Sequence, residues 1–296
     1  MITRKQFDIL KKIINLDEKT SQRKLEKELP YSLGTINKTL KELTDLGYVK
    51  DGHITLDGKK VLEPYRVKRA IFIAAGFGSR MVPITLNTPK PLVRVNGKRI
   101  IDTLIDACLA ADINEIYVVR GYLGEQFDQL LYKYPFIKFL ENPTYNEANN
   151  IGSAYIARDL MQNAYVFEAD LLLSNSNIIE KYHYNSSVLG IYKDRTDDWC
   201  LDVNKNGFVT EEKIGGYNTH QMVGIYYLNK EEGKMLSKHL DEAYNMPGGK
   251  ERYWETVINQ LHKGEYKIEV IPCKEDDIVE IDTFKELVAI DKSYKV

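Results

Sequence analysis

From Ala70 onward the chain alternates short apolar runs with amphipathic ones, and this alternation constrains the fold more than any other feature. "AIFIAAG" reads as a strand, "RIIDTLIDACLAAD" as a helix with one apolar face, and "EIYVVRGY" as a strand. "EQFDQLLYKY" and "NIGSAYIARDLM" read as further helices, "IKFLEN" and "AYVFEADLLL" as further strands. Apolar strands that alternate with helices predict a mostly parallel sheet covered on both faces. Such sheets bind ligands beyond the carboxyl ends of their strands, where strand order reverses. The runs that end near Gly76, at Gly121-Tyr122 and at Glu168-Ala169-Asp170 are therefore where chemistry is expected.

Residues 1–62 follow another pattern. Ile9, Leu10, Ile13 and Ile14 recur at helical spacing, and Thr20 or Ser21 can cap a second helix. "YSLGTINKTLKELTDLGYV" sets Ile36, Leu40, Leu43 and Leu46 on one face of a third helix, ended by Gly47. Asp51-Gly52 then turns a hairpin. Three helices and a hairpin are the parts of a winged helix-turn-helix. "LKELTDLGYVK" with "ITLDGKKVL" resembles the bacterial MarR-like winged-helix modules. This segment carries 13 basic against 9 acidic side chains, in a chain of net charge −2. Lys38 and Lys41 lie on the helix that would enter a major groove, so DNA is an expected partner. A small helical interaction or dimerisation module fits the same residues, and arginine, the usual base reader, is sparse here. The polar "EPYRVKR" joins the two expected domains, residues 1–65 and 66–296.

The chain is 43% hydrophobic, enough for a packed core. Its overall charge gives no reason to expect an anionic membrane as partner. Cys108, Cys200 and Cys273 are far apart and odd in number, which argues against a disulfide framework or a zinc site. The charged start is unlike a signal peptide, and no window is long enough to span a bilayer. A cytoplasmic location is expected, and a homodimer stays open.

The first strand runs into "GFGSRMVPITLNTPKPL". This is not a Walker loop, because no GK[ST] follows, and the third glycine of a dinucleotide fingerprint is missing. The spacing still suits phosphate chemistry. Gly76 and Gly78 let backbone N–H groups approach a polyphosphate closely. Arg80 can fork onto phosphate oxygens, and Pro89 and Pro91 limit where Lys90 points. Together with Pro83 and Thr85, these residues resemble the GxGxR…PKPL signature of the sugar-phosphate nucleotidyltransferase superfamily. The resemblance implies a Rossmann-like, GT-A-like α/β domain. It implies that Ala75, Gly76, Gly78 and Ser79 bind nucleotide and that Arg80 and Lys90 serve catalysis.

Asp170 in "VFEADLLL" and Asp282 in "IVEIDTFKEL" each read, taken alone, as a strand-end or helix-capping carboxylate. The same resemblance implies that both coordinate Mg²⁺ on the triphosphate, with Glu168 and Glu280 as weaker supporting candidates.

The acceptor must be read elsewhere. "DRTDDWCLDV" and "GGKERYWETVINQL" contain both tryptophans, and Trp199, Tyr253 and Trp254 lie beside Asp197, Asp198, Glu251 and Glu255. Aromatic faces with nearby carboxylates suit a quaternary ammonium, although an isolated Tyr-Trp pair more often packs a core. With "NEANNIGSAYIARDLMQNAYVFEADLLLSN" and "VEIDTFKEL", these stretches resemble the bacterial choline-phosphate cytidylyltransferases of the LicC type over residues 70–287. That resemblance implies transfer of a cytidylyl group from CTP to phosphocholine, giving CDP-choline and pyrophosphate. It implies an acceptor cage of Trp199, Tyr253 and Trp254, and nucleotide contacts from Gly121, Tyr122, Asn150, Gly152 and Ser153. Asn150 and Ser153 also suit plain helix capping. Other acceptors stay open: 2-aminoethylphosphonate, phosphoethanolamine or a sugar phosphate. A primary ammonium would ask for more hydrogen-bond acceptors than aromatic faces. A ligand-sensing transcription regulator is a further alternative, but sensing alone does not require Arg80, Lys90, Asp170 and Asp282 together.

Overall fold

The computed structural model describes residues 1–16 and 21–295, which form two compact units, Met1–Arg66 and Val67–Val296. In the first unit, helix α1 (Arg4–Leu16) buries Phe7, Ile9, Leu10 and Ile13. Helix α2 (Gln22–Glu28) is capped by Ser21, whose hydroxyl accepts from the Lys24 N–H at 3.2 Å. Thr20, the alternative cap, lies outside the described residues. Helix α3 (Leu33–Asp45) is capped by Ser32 and buries Ile36, Thr39 and Leu43. Leu46 departs from the expected apolar face. The helix stops at Asp45, and Leu46 is 54% exposed at its end. Strands β1 (Val49–Lys50) and β2 (His53–Ile54) pair antiparallel, and a further helix, α4 (Leu56–Leu62), follows.

The second unit begins with β3 (Arg69–Ile73), a short antiparallel pair β4 (Arg94–Val95) and β5 (Lys98–Arg99), and helix α5 (Ile100–Ala110). Next come β6 (Glu115–Arg120), β7 (Lys138–Glu141), helix α6 (Ile151–Ala157), β8 (Ala164–Glu168) and β9 (Leu171–Leu173). Two long strands, β10 (Ser187–Val203) and β11 (Val209–Leu228), make a ribbon. Helix α7 (Lys230–Asn245), β12 (Glu269–Cys273), β13 (Ile278–Glu280) and helix α8 (Phe284–Ile290) complete it. Among the described residues, no helix is long and apolar enough to cross a membrane.

The central sheet has the order β12-β10-β11-β8-β3-β6-β7. Strands β7, β6, β3 and β8 run parallel, and β11 joins antiparallel to β8. Strand residues alternate between two apolar layers. Ala70 and Phe72 face one layer with α5 residues, and Ile71 and Ile73 face the other with α6 and α7 residues. This is the period-two signature of strands buried on both faces. The chain leaves β3 toward β6 on one side and returns to β8 on the other. The switch point therefore opens beyond the carboxyl end of β3.

Two elements differ from the sequence reading. The segment expected as a helix near 125–134 forms a 3₁₀ helix over Gly124–Tyr132. Its buried residues, Phe127 and Leu130, are three apart, the spacing that stacks side chains in that geometry. "AYVFEADLLL" is two strands. The chain leaves the central sheet after Glu168, and β9 pairs antiparallel with β13 in a separate small sheet.

Candidate active site

The break between β8 and β9 builds the site. Leu171 on β9 is opposite Glu280 on β13, and the Ile281 N–H reaches the Asp170 carbonyl at 3.3 Å. Asp170 and Asp282, far apart in sequence, are thereby brought together. Asp282 is held from the other side: its N–H donates to Glu286 in a capping box with Thr283 at the start of α8. Carboxylate oxygens of Asp170, Glu280 and Asp282 lie within 4.8 Å of one another.

Lys90 neutralises two of them. Its Nζ donates to Asp170 Oδ2 at 2.7 Å and to Asp282 Oδ1 at 2.9 Å. Burial pulls the Lys90 pKa down, but the two carboxylates outweigh burial and hold it above its ordinary value. Arg80, exposed on the loop after β3, reaches Asp282 Oδ1 at 2.8 Å. Gly78 has φ of 61°, and a Cβ there would lie 3.0 Å from the Lys90 Cβ. Both its conformation and its neighbour favour glycine.

Two chambers meet at these groups. The first, about 360 Å³, is lined by the loop after β3, including Ala75, Gly76, Gly78, Ser79 and Arg80, with Lys90, Asn150 and Ser153. The second, about 260 Å³, lies toward the β10–β11 ribbon and is lined by Trp199 and Tyr253. Arg80, Asn150, Glu168, Asp170, Tyr253 and Asp282 border both. Seven carboxylates line the second chamber: Glu168, Asp170 and Asp282, which border both chambers, and Asp198, Glu212, Glu255 and Glu280 besides. Arg80 is the one cationic side chain among the residues lining it.

Such crowding shifts proton affinities upward. Burial, then Glu255 and Asp170, push the Glu168 pKa well above the ordinary range. Burial pushes Glu255 up to about 7, against hydrogen bonds from Glu168 and Asn150. Desolvation in the cavity, then Asp170 and Asp282, push the Glu280 carboxyl up to about 8.

The structure redistributes several residues singled out in the sequence. Trp254 is not part of a cage. Its ring is 1% exposed and packs 5.0 Å from Tyr226 in the apolar layer. It lines neither chamber, and its side chain points into the core. Trp199 and Tyr253 do face the second chamber, with ring centroids 6.0 Å apart at 62°. Asn150 does not cap α6 with its side chain. Its Nδ2 donates to Glu168 Oε1 at 2.9 Å and to Glu255 Oε2 at 3.2 Å, and its Oδ1 accepts from the Trp254 N–H at 2.9 Å. Ser153 Oγ accepts from Asn142 Nδ2 at 3.0 Å. Gly121, Tyr122 and Gly152 line neither chamber. A Cβ on Gly152 would lie 3.0 Å from that of Ala148, so its place is one of packing. Glu212, held by Asn259 and Gln260, carried no sequence signal, because it sits in a ribbon without a motif.

A glycine loop, two cations and a carboxylate trio are thus gathered at the switch point of a parallel sheet. The Nucleotidyl transferase family matches residues 69–198, and the chain belongs to it. It is 38% identical to a 2-aminoethylphosphonate cytidylyltransferase of Lancefieldella rimae, over 76% of this chain and 92% of that protein. It is 30% identical to a choline-phosphate cytidylyltransferase of Streptococcus pneumoniae, over 74% of this chain and 94% of that one. The solved CTP:phosphocholine cytidylyltransferase from Streptococcus pneumoniae superimposes with a TM-score of 0.71 at 29% identity, covering 78% of this chain and all of that one.

The carboxyl of Glu255 yields a pH prediction. Its folded pKa of about 7 lies above the 4.5 ordinary for a glutamate, so between these values the folded chain holds a proton that the unfolded chain has lost. The contribution of Glu255 to stability is therefore lost as pH rises from about 5 to about 7. Burial lowers the pKa of His220 and His239, which act in the opposite sense over this window, so the check is a difference: from pH 5 to pH 7 the Tm of the parent chain should drop further, or rise less, than that of Glu255→Gln. An equal change in both would separate Glu255 from the effect.

Proposed function

We propose that the chain transfers the cytidylyl group of CTP to a phosphate or phosphonate oxygen of a small aminated acceptor, preferring 2-aminoethylphosphonate. The observation that carries this reading is the pair of chambers joined at Arg80, Asp170 and Asp282. One takes the nucleotide and the other the acceptor, so their reacting ends meet at the charged groups. The acceptor oxygen attacks the α-phosphorus in line. Its new P–O bond forms as the bond to pyrophosphate breaks, and the pyrophosphate leaves with that electron pair. The acceptor oxygen is already anionic, so no covalent enzyme intermediate is needed. Arg80 and Lys90 stabilise charge that grows on the phosphoryl oxygens.

The residues fit a divalent cation. Asp170, Glu280 and Asp282 offer hard oxygen ligands, and Asp170 Oδ1 is buried with no hydrogen-bond partner. When bound, Mg²⁺ would supply the charge neutralisation that a triphosphate needs beside three carboxylates.

The acceptor is argued from the second chamber. With Trp254 in the core, two aromatic walls remain against the carboxylates of Glu168, Asp198, Glu212 and Glu255. A primary ammonium has three N–H donors for these oxygens, and a trimethylammonium has none. The name of the Lancefieldella rimae relative agrees with this preference. Phosphocholine is the second reading, favoured by the angled faces of Trp199 and Tyr253 and by the pneumococcal relatives.

For residues 1–65 we propose a winged helix-turn-helix that binds DNA. The order of three helices and a hairpin supports it, as do the exposed Lys38 and Lys41 on α3.

Three outcomes follow. In a pyrophosphate-release assay with CTP, kcat/KM should be highest for 2-aminoethylphosphonate, lower for phosphocholine, and negligible for glucose 1-phosphate. A preference for phosphocholine would replace the first reading by the second. Asp170→Asn should lower turnover by roughly 100-fold or more, the scale of losing a principal electrostatic stabiliser. Near-normal turnover at limiting Mg²⁺ would remove Asp170 from the metal site. Residues 67–296 alone should release pyrophosphate at the rate of the full chain, while only the full chain should be retarded on duplex DNA, less so as salt rises. Equal retention of both would sink the DNA assignment.

A further inference from the structure

Phe77 lies between the two glycines of the loop, and its ring is 44% exposed at the nucleotide chamber. A large apolar ring so placed contributes little to a core. It is nevertheless held in position. Its centroid lies 5.0 Å from that of Tyr122 and 5.3 Å from that of Tyr145, tilted at 50° and 59°. Tyr122 is itself fixed. Its hydroxyl donates to the Thr85 carbonyl at 2.9 Å, and its N–H donates to the Ala75 carbonyl at 3.1 Å. Tyr145 is admitted by Gly121, where a Cβ would fall 2.6 Å from the Tyr145 Cβ. Gly121 and Tyr122 line no chamber, yet they build an aromatic corner beside one.

Phe77 and Tyr145 border the first chamber and not the second. The charged groups Arg80, Asp170 and Asp282 border both. The first chamber therefore has a charged end, shared with the acceptor side, and an aromatic part of its own. A nucleoside triphosphate has the same division, with charge at one end and one flat, weakly polar ring system at the other.

We propose that Phe77 and Tyr145 form the stacking wall for the nucleobase of the donor, with Gly121 and Tyr122 positioning it. The proposal rests on the reading of the first chamber as a nucleoside triphosphate site. Every base has a π-face, so stacking supplies affinity and does not choose among bases. The wall should hold cytosine and uracil equally, and selection of CTP must come from polar contacts elsewhere in the chamber.

The test is equilibrium binding of CTP, UTP and inorganic tripolyphosphate to the full chain, by titration calorimetry with Mg²⁺ present. Phe77→Ala and Tyr145→Ala should each weaken CTP by about 5- to 100-fold, the range of a lost base–aromatic contact. UTP, if it binds, should weaken by the same factor. Tripolyphosphate should be unaffected, because it has no base. Phe77→Trp should bind CTP at least as tightly as the parent, and Tyr145→Phe should match it, keeping the test decisive if Tyr145→Ala does not fold. Unchanged CTP binding in Phe77→Ala overturns the wall, as does an equal loss of CTP and tripolyphosphate, which would signal a damaged phosphate loop. If the parent chain binds no nucleotide more tightly than tripolyphosphate, the underlying reading falls as well. If the parent binds CTP and Phe77→Ala binds it equally, the wall falls alone.

Discussion

The Lys90 ammonium joins Asp170 and Asp282, and the site depends on this double ion pair. It links segments 80 and 192 residues away in sequence. A half-buried ion pair of this kind returns little net stability, since desolvation offsets much of the Coulomb gain. Its value lies in geometry. Asp170 is at a break in a strand, Asp282 follows a three-residue strand, and Lys90 lies in a proline-flanked turn. The ion pair ties these three separate segments to one another. In the proposed reaction, phosphate oxygens would compete with these carboxylates for Lys90 and Arg80, and Asp170 and Asp282 would then be free to hold a divalent ion.

Legibility in the sequence followed locality. The strand into Gly76, the Arg80 spacing and the Pro-Lys-Pro turn are short-range patterns, and the structure gathers Gly76, Gly78, Arg80 and Lys90 around one chamber. The departure of β9 from the central sheet was not legible, because "DLLL" suits any apolar strand and its partner β13 lies more than a hundred residues away. Tyr253 and Trp254 show a second limit. They are adjacent, so one can face the chamber while the other enters the core, and composition cannot tell which. Asn150 shows a third. Its position before α6 also suits a cap, but the Trp254 N–H occupies the Oδ1 that a cap would use, and two buried carboxylates accept from its Nδ2.

The supply of residues to the two chambers is uneven. The β10–β11 ribbon gives the second chamber Asp198, Trp199, Glu212 and Met222 and gives the first none. The first is built from the β3 loop, the Lys90 turn and the segment before α6. A change in the ribbon, whose pairing carries several register shifts, can therefore reshape the second chamber without touching the residues of the first. The hairpin acts as an exchangeable mould, and the parallel sheet as the press that stays the same.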